Sequence, residues 1–166
     1  MPLYFAYGSN MDRNAMSARC PASKPIGVGR LMRHRFIIFS EGYASVARHP
    51  AGTVWGLLWD LSLSDMPALD CYECLSTGLY AKVIQPIVTQ AGPRRAIVYV
   101  GRDTEAGHPK PGYMEGIVEA AQNLGLPSSY VAELNGWNPS ASAHAAPRPA
   151  IRPLWAQPSS TPRRTS

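Results

Sequence analysis

Leu3-Tyr4-Phe5-Ala6-Tyr7, followed by Gly8-Ser9-Asn10, is the stretch of this 166-residue chain that decides how its fold begins. The apolar and aromatic run predicts a short β-strand, and the three residues after it predict a turn. A helix is expected over Asp12–Arg19, with Ser9 or Asn10 as its N-cap. A strand that turns directly into a helix points consecutive backbone N–H groups at one place. The turn is therefore a candidate site for a carboxylate or an oxyanion, although an ordinary helix cap is an alternative interpretation.

The rest of the chain alternates between strand-like and helix-like segments. Thr53–Trp59 is apolar on both faces, which is typical of a central strand. Further strands are expected at Arg35–Phe39, Ala44–Ala47, Tyr80–Thr89 and Arg95–Val100, and further helices from Ser64 to Tyr72 or Glu73, from Tyr113 up to Gly125, and at Pro127–Leu134. Five or six strands with single inserted helices predict an α+β or mixed-sheet domain of about 135 residues.

Glu73 is the second candidate for chemistry. On a helix that begins near Ser64, Met66, Leu69 and Glu73 share one face. A carboxylate that follows two core-facing apolar residues is partly desolvated, which raises its pKa towards the range useful for a general acid or base. The alternative is a frayed helix end that exposes Glu73 to water.

Cysteine chemistry finds little support in the sequence. Cys71 and Cys74 have CxxC spacing, but no second cysteine pair or closely spaced histidine pair completes a metal site. The two positions also suit small core residues. A cysteine-dependent hydrolase would need a histidine base, and the four histidines are scattered. No metal or cofactor is expected.

The net charge of +5 belongs mainly to the C-terminal part of the chain. Residues 138–166 contain four arginines, six prolines and no acidic residue, which leaves 12 basic and 11 acidic residues before them. We therefore expect a folded domain at 1–137 and a disordered or surface-draped tail at 138–166, with contact to an acidic partner as the functional alternative. The arginines have too few interleaved aromatic residues to indicate nucleic-acid binding.

The location of the protein is also indicated by composition. No stretch reaches the roughly 18 to 20 apolar residues that span a bilayer. The N-terminus lacks a basic lead-in and a long apolar core, so it predicts a strand and not a signal peptide. Three cysteines do not form a disulfide framework. A cytoplasmic protein without membrane or nucleic-acid partners, as a monomer or homodimer, is expected.

In combination, these segments resemble the gamma-glutamylcyclotransferase family. The resemblance covers about residues 3 to 134, in the family's order and at compatible spacing. It rests on Tyr4-Phe5-Ala6-Tyr7-Gly8-Ser9-Asn10-Met11, Val54-Trp55-Gly56-Leu57-Leu58-Trp59, Leu69-Asp70-x-x-Glu73, Gly78-Leu79-Tyr80, Tyr113, and Gly125-Leu126-Pro127-x-x-Tyr130.

The resemblance implies an α+β fold with a small, mixed, barrel-like sheet, a few flanking helices and a single pocket. It implies that Glu73 is the acid/base and that a small γ-glutamyl compound is the substrate. The substrate would contact Tyr113, Tyr80 and the loop residues Tyr4, Phe5, Ala6, Tyr7, Gly8, Ser9 and Asn10. The family usually has glycine where this chain has Cys74, so a positive φ there would strain the turn, unless the helix continues one residue further.

The function implied is cofactor-independent release of 5-oxoproline from the γ-glutamyl compound, by attack of its own α-amine on its γ-carbonyl. A catalytically silent module that binds a small acidic metabolite in the same pocket is the alternative. Retention of Glu73 favours the enzyme, because a binder gains nothing from a buried, unpaired carboxylate.

Overall fold

Five strands of the computed structural model, which describes residues 1–139, close into a barrel. The strands lie around it in the order β1-β3-β2-β4-β5, and β1 closes it by pairing in parallel with β5, whereas the other pairs are antiparallel. They span Leu3–Ala6 (β1), Lys24–Ile38 (β2), Ala44–Asp60 (β3), Tyr80–Thr89 (β4) and Gly92–Gly101 (β5). The helices span Arg13–Arg19 (α1), Met66–Tyr72 (α2), Tyr113–Asn123 (α3) and Ser128–Asn135 (α4). The predicted tail at 138–166 lies almost wholly outside the described residues.

The hairpin of β2 and β3 is longer than the sequence predicts. Lys24 pairs with Asp60 at one end and Ile38 with Ala44 at the other, with register shifts at Pro25/Gly27 and Met32/His34. The strand predicted at Arg35–Phe39 begins at Lys24 instead, and the prediction of separate strands at Ala44–Ala47 and Thr53–Trp59 was wrong, because β3 is continuous. The ladder to β3 keeps the segment extended despite its glycines and basic residues, and Arg33, with φ +60°, accommodates one irregularity. The central position of Thr53–Trp59 is confirmed, because β3 lies between β1 and β2.

The turn after β1 differs from the prediction in its cap. Ser9–Met11 forms a 3₁₀ turn, because the carbonyl oxygens of Gly8 and Ser9 accept hydrogen bonds from the N–H groups of Met11 and Asp12. Asp12 is the N-cap of α1, and its Oδ1 accepts from the N–H groups of Asn14 and Ala15 at 2.8 and 3.2 Å. The prediction of Ser9 or Asn10 as cap was wrong. The inserted turn buries Asn10 instead of leaving it at a helix end.

The core fills the barrel and continues under α3 and α4. Phe5, Phe39 and Trp59 are fully buried, each burial stabilising the fold by about 1.5–3 kcal/mol or more. Helix α3 presents Met114, Ile117 and Ala121 to this core and ends before Gly125, which has φ +69°. Within residues 1–139, no helix combines the length and the apolar content that crossing a membrane requires.

Candidate active site

A small cavity that opens to solvent lies beside the turn that follows β1. It brings together the turn, Glu73 and a wall of tyrosines that come from β1, β4, β5 and α3. Eight of the lining residues were singled out from the sequence: Tyr4, Tyr7, Gly8, Ser9, Asn10, Glu73, Tyr80 and Tyr113. Two more, Ala44 and Tyr99, were not.

Phe5 and Ala6 are not among the residues that line this cavity. Both are fully buried in the core and pack towards β3. A Cβ at Gly56 would lie 2.3 Å from the carbonyl oxygen of Ala6 and 2.8 Å from Cζ of Phe5, so β3 needs glycine there. The two residues therefore support β1, which carries Tyr4 and leads into Tyr7.

Glu73 is the carboxylate of the cavity. It forms the C-cap of α2 and its side chain is nearly enclosed, with the residue 9% exposed. The alternative of a frayed end that exposes Glu73 to water is therefore wrong. Burial raises the pKa of Glu73 to about 7, while the charge of Arg19 and the hydroxyl of Tyr4 lower it and the charge of Asp70 raises it. A carboxyl with this pKa exchanges protons readily near neutral pH.

Asn10 connects the turn to Glu73. Its Nδ2 donates to Oε1 of Glu73 at 3.2 Å and to the hydroxyl of Tyr4 at 3.0 Å. Its Oδ1 accepts from Nη1 of Arg19, and its carbonyl oxygen accepts from Nε1 of Trp59 at 3.2 Å. The buried amide is thus held at both ends, and its donor end faces the carboxylate.

The hydroxyls of Tyr80 and Tyr113 are anchored on the backbone of Ala44. Tyr80 donates to the Ala44 carbonyl oxygen at 2.6 Å, and the hydroxyl oxygen of Tyr113 accepts from the Ala44 N–H at 3.0 Å. Tyr7 donates to the carbonyl oxygen of Tyr99 at 2.5 Å. Burial raises the pKa of Tyr7, Tyr80 and Tyr113, so these hydroxyls stay neutral at physiological pH.

Cys74, which stands where the family usually has glycine, adopts a left-handed backbone conformation. Its φ is +51° and its ψ is 43°, directly after Glu73. The alternative in which the helix continues one residue further is wrong, because α2 ends at Tyr72 and the Cys74 carbonyl oxygen accepts from the N–H of Leu79 at 3.4 Å. A side chain in this conformation costs about 1–2 kcal/mol relative to right-handed backbone. The turn that aims Glu73 is therefore strained.

Comparison with known proteins gives a consistent result. A model of the AIG2-like family matches residues 53–134. Curated gamma-glutamylcyclotransferases from Bos taurus and Homo sapiens are 29% and 28% identical to this chain, with 82% of the chain and 79% of each relative covered. A solved gamma-glutamyl cyclotransferase structure superimposes with a TM-score of 0.75 at 28% identity and covers 81% of this chain and 86% of its own. Over most of its length the chain is therefore similar to gamma-glutamylcyclotransferases, in sequence and in fold.

Within residues 1–139, the closed five-stranded sheet and its four flanking helices confirm the prediction of an α+β fold with a small, mixed, barrel-like sheet. The matched segment 53–134 contains Glu73, Tyr80 and Tyr113, whereas the Gly8–Asn10 turn precedes it.

Tyr99, which the sequence did not single out, is held in the cavity wall by contacts with residues that are distant in the chain. Tyr99 lies on β5 beside Tyr4, and its hydroxyl donates to Oδ1 of Asp70. Lys82 places Nζ 2.6 Å from the same carboxyl oxygen of Asp70. Tyr99 is a polar aromatic residue in an apolar strand, which is a weak sequence signal for a functional wall.

The cysteines and the possible metal ligands of residues 1–139 were the other candidates for chemistry. Cys20 is buried, Cys71 is exposed and Cys74 is partly exposed, and all three are free thiols. Residues 1–139 contain no group of three or more His, Cys, Asp or Glu side chains arranged to hold a metal ion.

Proposed function

We propose that this protein is a cofactor-independent gamma-glutamylcyclotransferase that converts a γ-glutamyl amine, amide or peptide into 5-oxoproline and a free amine or amino acid. The observation that carries the proposal is the position of Glu73, whose carboxyl shares one cavity with the Gly8–Asn10 turn and Tyr113. The relatives named gamma-glutamylcyclotransferase supply the reaction type. The free thiols agree with a reducing compartment, and we propose a cytoplasmic location.

The reaction starts with a proton transfer. Glu73, as a carboxylate, takes a proton from the α-ammonium of the γ-glutamyl group, and the nitrogen lone pair then attacks the γ-carbonyl carbon of the same molecule. Because nucleophile and electrophile belong to one chain, the cavity needs only to hold it folded, and such preorganisation is worth up to about 7–11 kcal/mol.

The attack forms a tetrahedral intermediate with a negatively charged oxygen. Within residues 1–139, the backbone N–H groups of Ser9 and Asn10 open the 3₁₀ turn and donate to no protein acceptor. They are the groups that we assign to the developing oxyanion. The C–N bond to the leaving group then breaks as protonated Glu73 gives its proton to the departing amine. Glu73 next takes the second proton from the ring nitrogen and passes it to the released amine, which leaves as an ammonium, so Glu73 ends the cycle as a carboxylate.

The tyrosine wall suits this reaction because it supplies neutral hydroxyls and no additional charge. Tyr80 and Tyr113 are held on Ala44 and cannot swing freely. With Glu73 as the carboxylate of the lining, a substrate α-ammonium has one place to bind.

The experiment is incubation of the purified protein with a panel of γ-glutamyl amines, amides and dipeptides while 5-oxoproline release is measured. We expect turnover of at least one class and its loss in Glu73→Gln, which preserves shape and removes the proton acceptor. Glu119→Gln is the matched control, because Glu119 is exposed on α3. Full activity of Glu73→Gln would overturn the assigned mechanism.

A silent binding module is the second candidate, and the strained backbone of Cys74 beside Glu73 is the observation that favours it. Binding of a γ-glutamyl compound by calorimetry, together with no 5-oxoproline from any compound in the panel, would support this alternative over the enzyme.

A further inference from the structure

Arg19 stands behind the cavity and does not line it. It is the last residue of α1, where a cation is favoured by the helix dipole, and its side chain is partly buried. Two contacts hold it in place. Nη1 donates to Oδ1 of Asn10, and the guanidinium lies over the ring of Tyr72, with Cζ 3.4 Å from the ring centroid.

The contact with Arg19 decides which way the Asn10 amide faces. The two ends of an amide are interchangeable in shape, so their hydrogen-bond partners select the orientation. With Oδ1 on Arg19, Nδ2 meets Glu73 and Tyr4 as a donor. The reversed amide would set two donors against each other at Arg19 and an oxygen against the carboxylate of Glu73.

Tyr72 completes a closed set of contacts around this amide. It directly precedes Glu73 in sequence, and its hydroxyl lies 3.0 Å from Oγ of Ser9. The end of α2 that carries Glu73 is thus tied to the end of α1 through Arg19 and to the turn through Ser9.

We propose that Arg19 is a positioning residue for the reaction, which acts through Asn10 to hold a hydrogen-bond donor and a positive charge towards Glu73. This inference rests on the proposed function, because it assigns Arg19 a role in support of Glu73 as the base. Arg19 is not among the lining residues, so we expect it to act on Glu73 and not to contact the substrate.

The groups that face Glu73 from the surrounding elements agree with this role. Arg19 is the cation whose charge lowers the pKa of Glu73, and Asp70 is the anion that raises it. The remaining neighbours are tyrosines whose own pKa values are raised by burial, so they are neutral near pH 7: Tyr4, Tyr7, Tyr80, Tyr99 and Tyr113.

The test is the pH profile of kcat/KM for Arg19→Met, which keeps an unbranched apolar side chain and removes the charge and the donors of the guanidinium. We expect the acid limb to move to higher pH, so that kcat/KM at pH 6 falls about tenfold for each unit of movement. The alkaline limb, set by the substrate ammonium, and KM should change little. Arg13→Met is the matched control on the exposed face of α1 and should keep the wild-type profile. Arg19→Lys retains the charge and should recover most of the acid limb.

A measurement without substrate separates this inference from the proposed function. The ¹³C resonance of the Glu73 carboxyl, identified by its loss in Glu73→Gln, should titrate at higher pH in Arg19→Met than in the wild type or Arg13→Met. An unchanged titration and acid limb in Arg19→Met would overturn the role of Arg19, as would a large rise in KM with an unmoved profile. Activity that survives in Glu73→Gln would instead overturn the proposed function.

Discussion

Nδ2 of Asn10 lies 3.2 Å from Oε1 of Glu73, although the two residues are 63 positions apart in the chain. Both are buried, so the hydrogen bond joins an amide and a carboxyl in a poorly hydrated place. A bond of this kind favours the charged carboxylate, which burial disfavours. Burial brings the pKa of Glu73 to about 7, where the carboxyl can both accept and return a proton, and the Asn10 amide gives that buried carboxyl a hydrogen-bond partner.

Asn10→Ala removes the donor that faces Glu73. We expect kcat/KM near pH 7 to fall about 10- to 100-fold, because taking one of its donors away from a buried carboxylate costs about 1–3 kcal/mol. The measurement is initial-rate release of 5-oxoproline across pH. Asn14→Ala, on the exposed face of α1, is the control, and a twofold or smaller effect of Asn10→Ala would contradict the role assigned to the amide.

The sequence predicted the parts of this site that lie in short contiguous patterns. The Gly8–Asn10 turn follows directly from a strand that meets turn residues, and Glu73 from its spacing to Met66 and Leu69. Helix α3 likewise followed from its apolar period, and Tyr113 was placed at its start.

What the sequence did not predict depends on contacts between distant segments. Residues 24–32 show glycines and basic residues with no clear alternation, and their strand exists because β3 pairs along its whole length. A Cβ at Gly29 would lie 2.6 Å from Cγ2 of Ile87, a constraint that only the closed barrel reveals. Arg19 and Tyr99 were missed for the same reason: Arg19 reaches the site through Asn10, and Tyr99 lines the cavity because β5 pairs with β1.

Glu73→Gln should also change how stability depends on pH. The pKa of Glu73 is about 7 in the folded protein and 4.5 for an unperturbed carboxyl, so the folded protein holds this proton more tightly. The contribution of Glu73 to the free energy of unfolding is fully present below pH 4.5 and is lost as pH rises to 7. We expect Glu73→Gln to gain stability relative to wild type across this window, by up to about 3 kcal/mol.

Urea unfolding at pH 4.5, 5.5 and 7.5 measures this difference. Glu119→Gln should show a difference from wild type that does not change with pH. A constant difference for Glu73→Gln as well would mean that Glu73 has an ordinary pKa in the folded protein.

Cys74→Gly should relieve the strained backbone beside Glu73. Glycine adopts a φ of +51° without cost, but it gains entropy in the unfolded chain, so we expect a net increase of about 0.5–1 kcal/mol in the free energy of unfolding. Cys74→Ala keeps the left-handed strain and should give no such gain. Thermal and urea unfolding of the two variants check the prediction, and equal stability of both would show that the conformation of residue 74 stores no strain.

Gly8→Ala tests whether the cavity needs its full space at the turn. The φ of Gly8 is −117°, so backbone strain is not the issue, but an added Cβ would lie 3.2 Å from Cβ of Ala44 and 3.6 Å from the hydroxyl of Tyr113. Ala44 would have to move by a few tenths of an ångström, and because its backbone anchors the hydroxyls of Tyr80 and Tyr113, the shift disturbs the wall of the cavity where the substrate is expected to bind. We expect kcat/KM to fall about tenfold, equivalent to about 1.4 kcal/mol, with only a small change in stability.

Gly116→Ala is the control, because nothing lies within 4 Å of an added Cβ there and alanine favours the interior of α3. That variant should be fully active and more stable by about 0.5–1 kcal/mol. Wild-type kinetics in Gly8→Ala would place the reacting part of the substrate away from the turn.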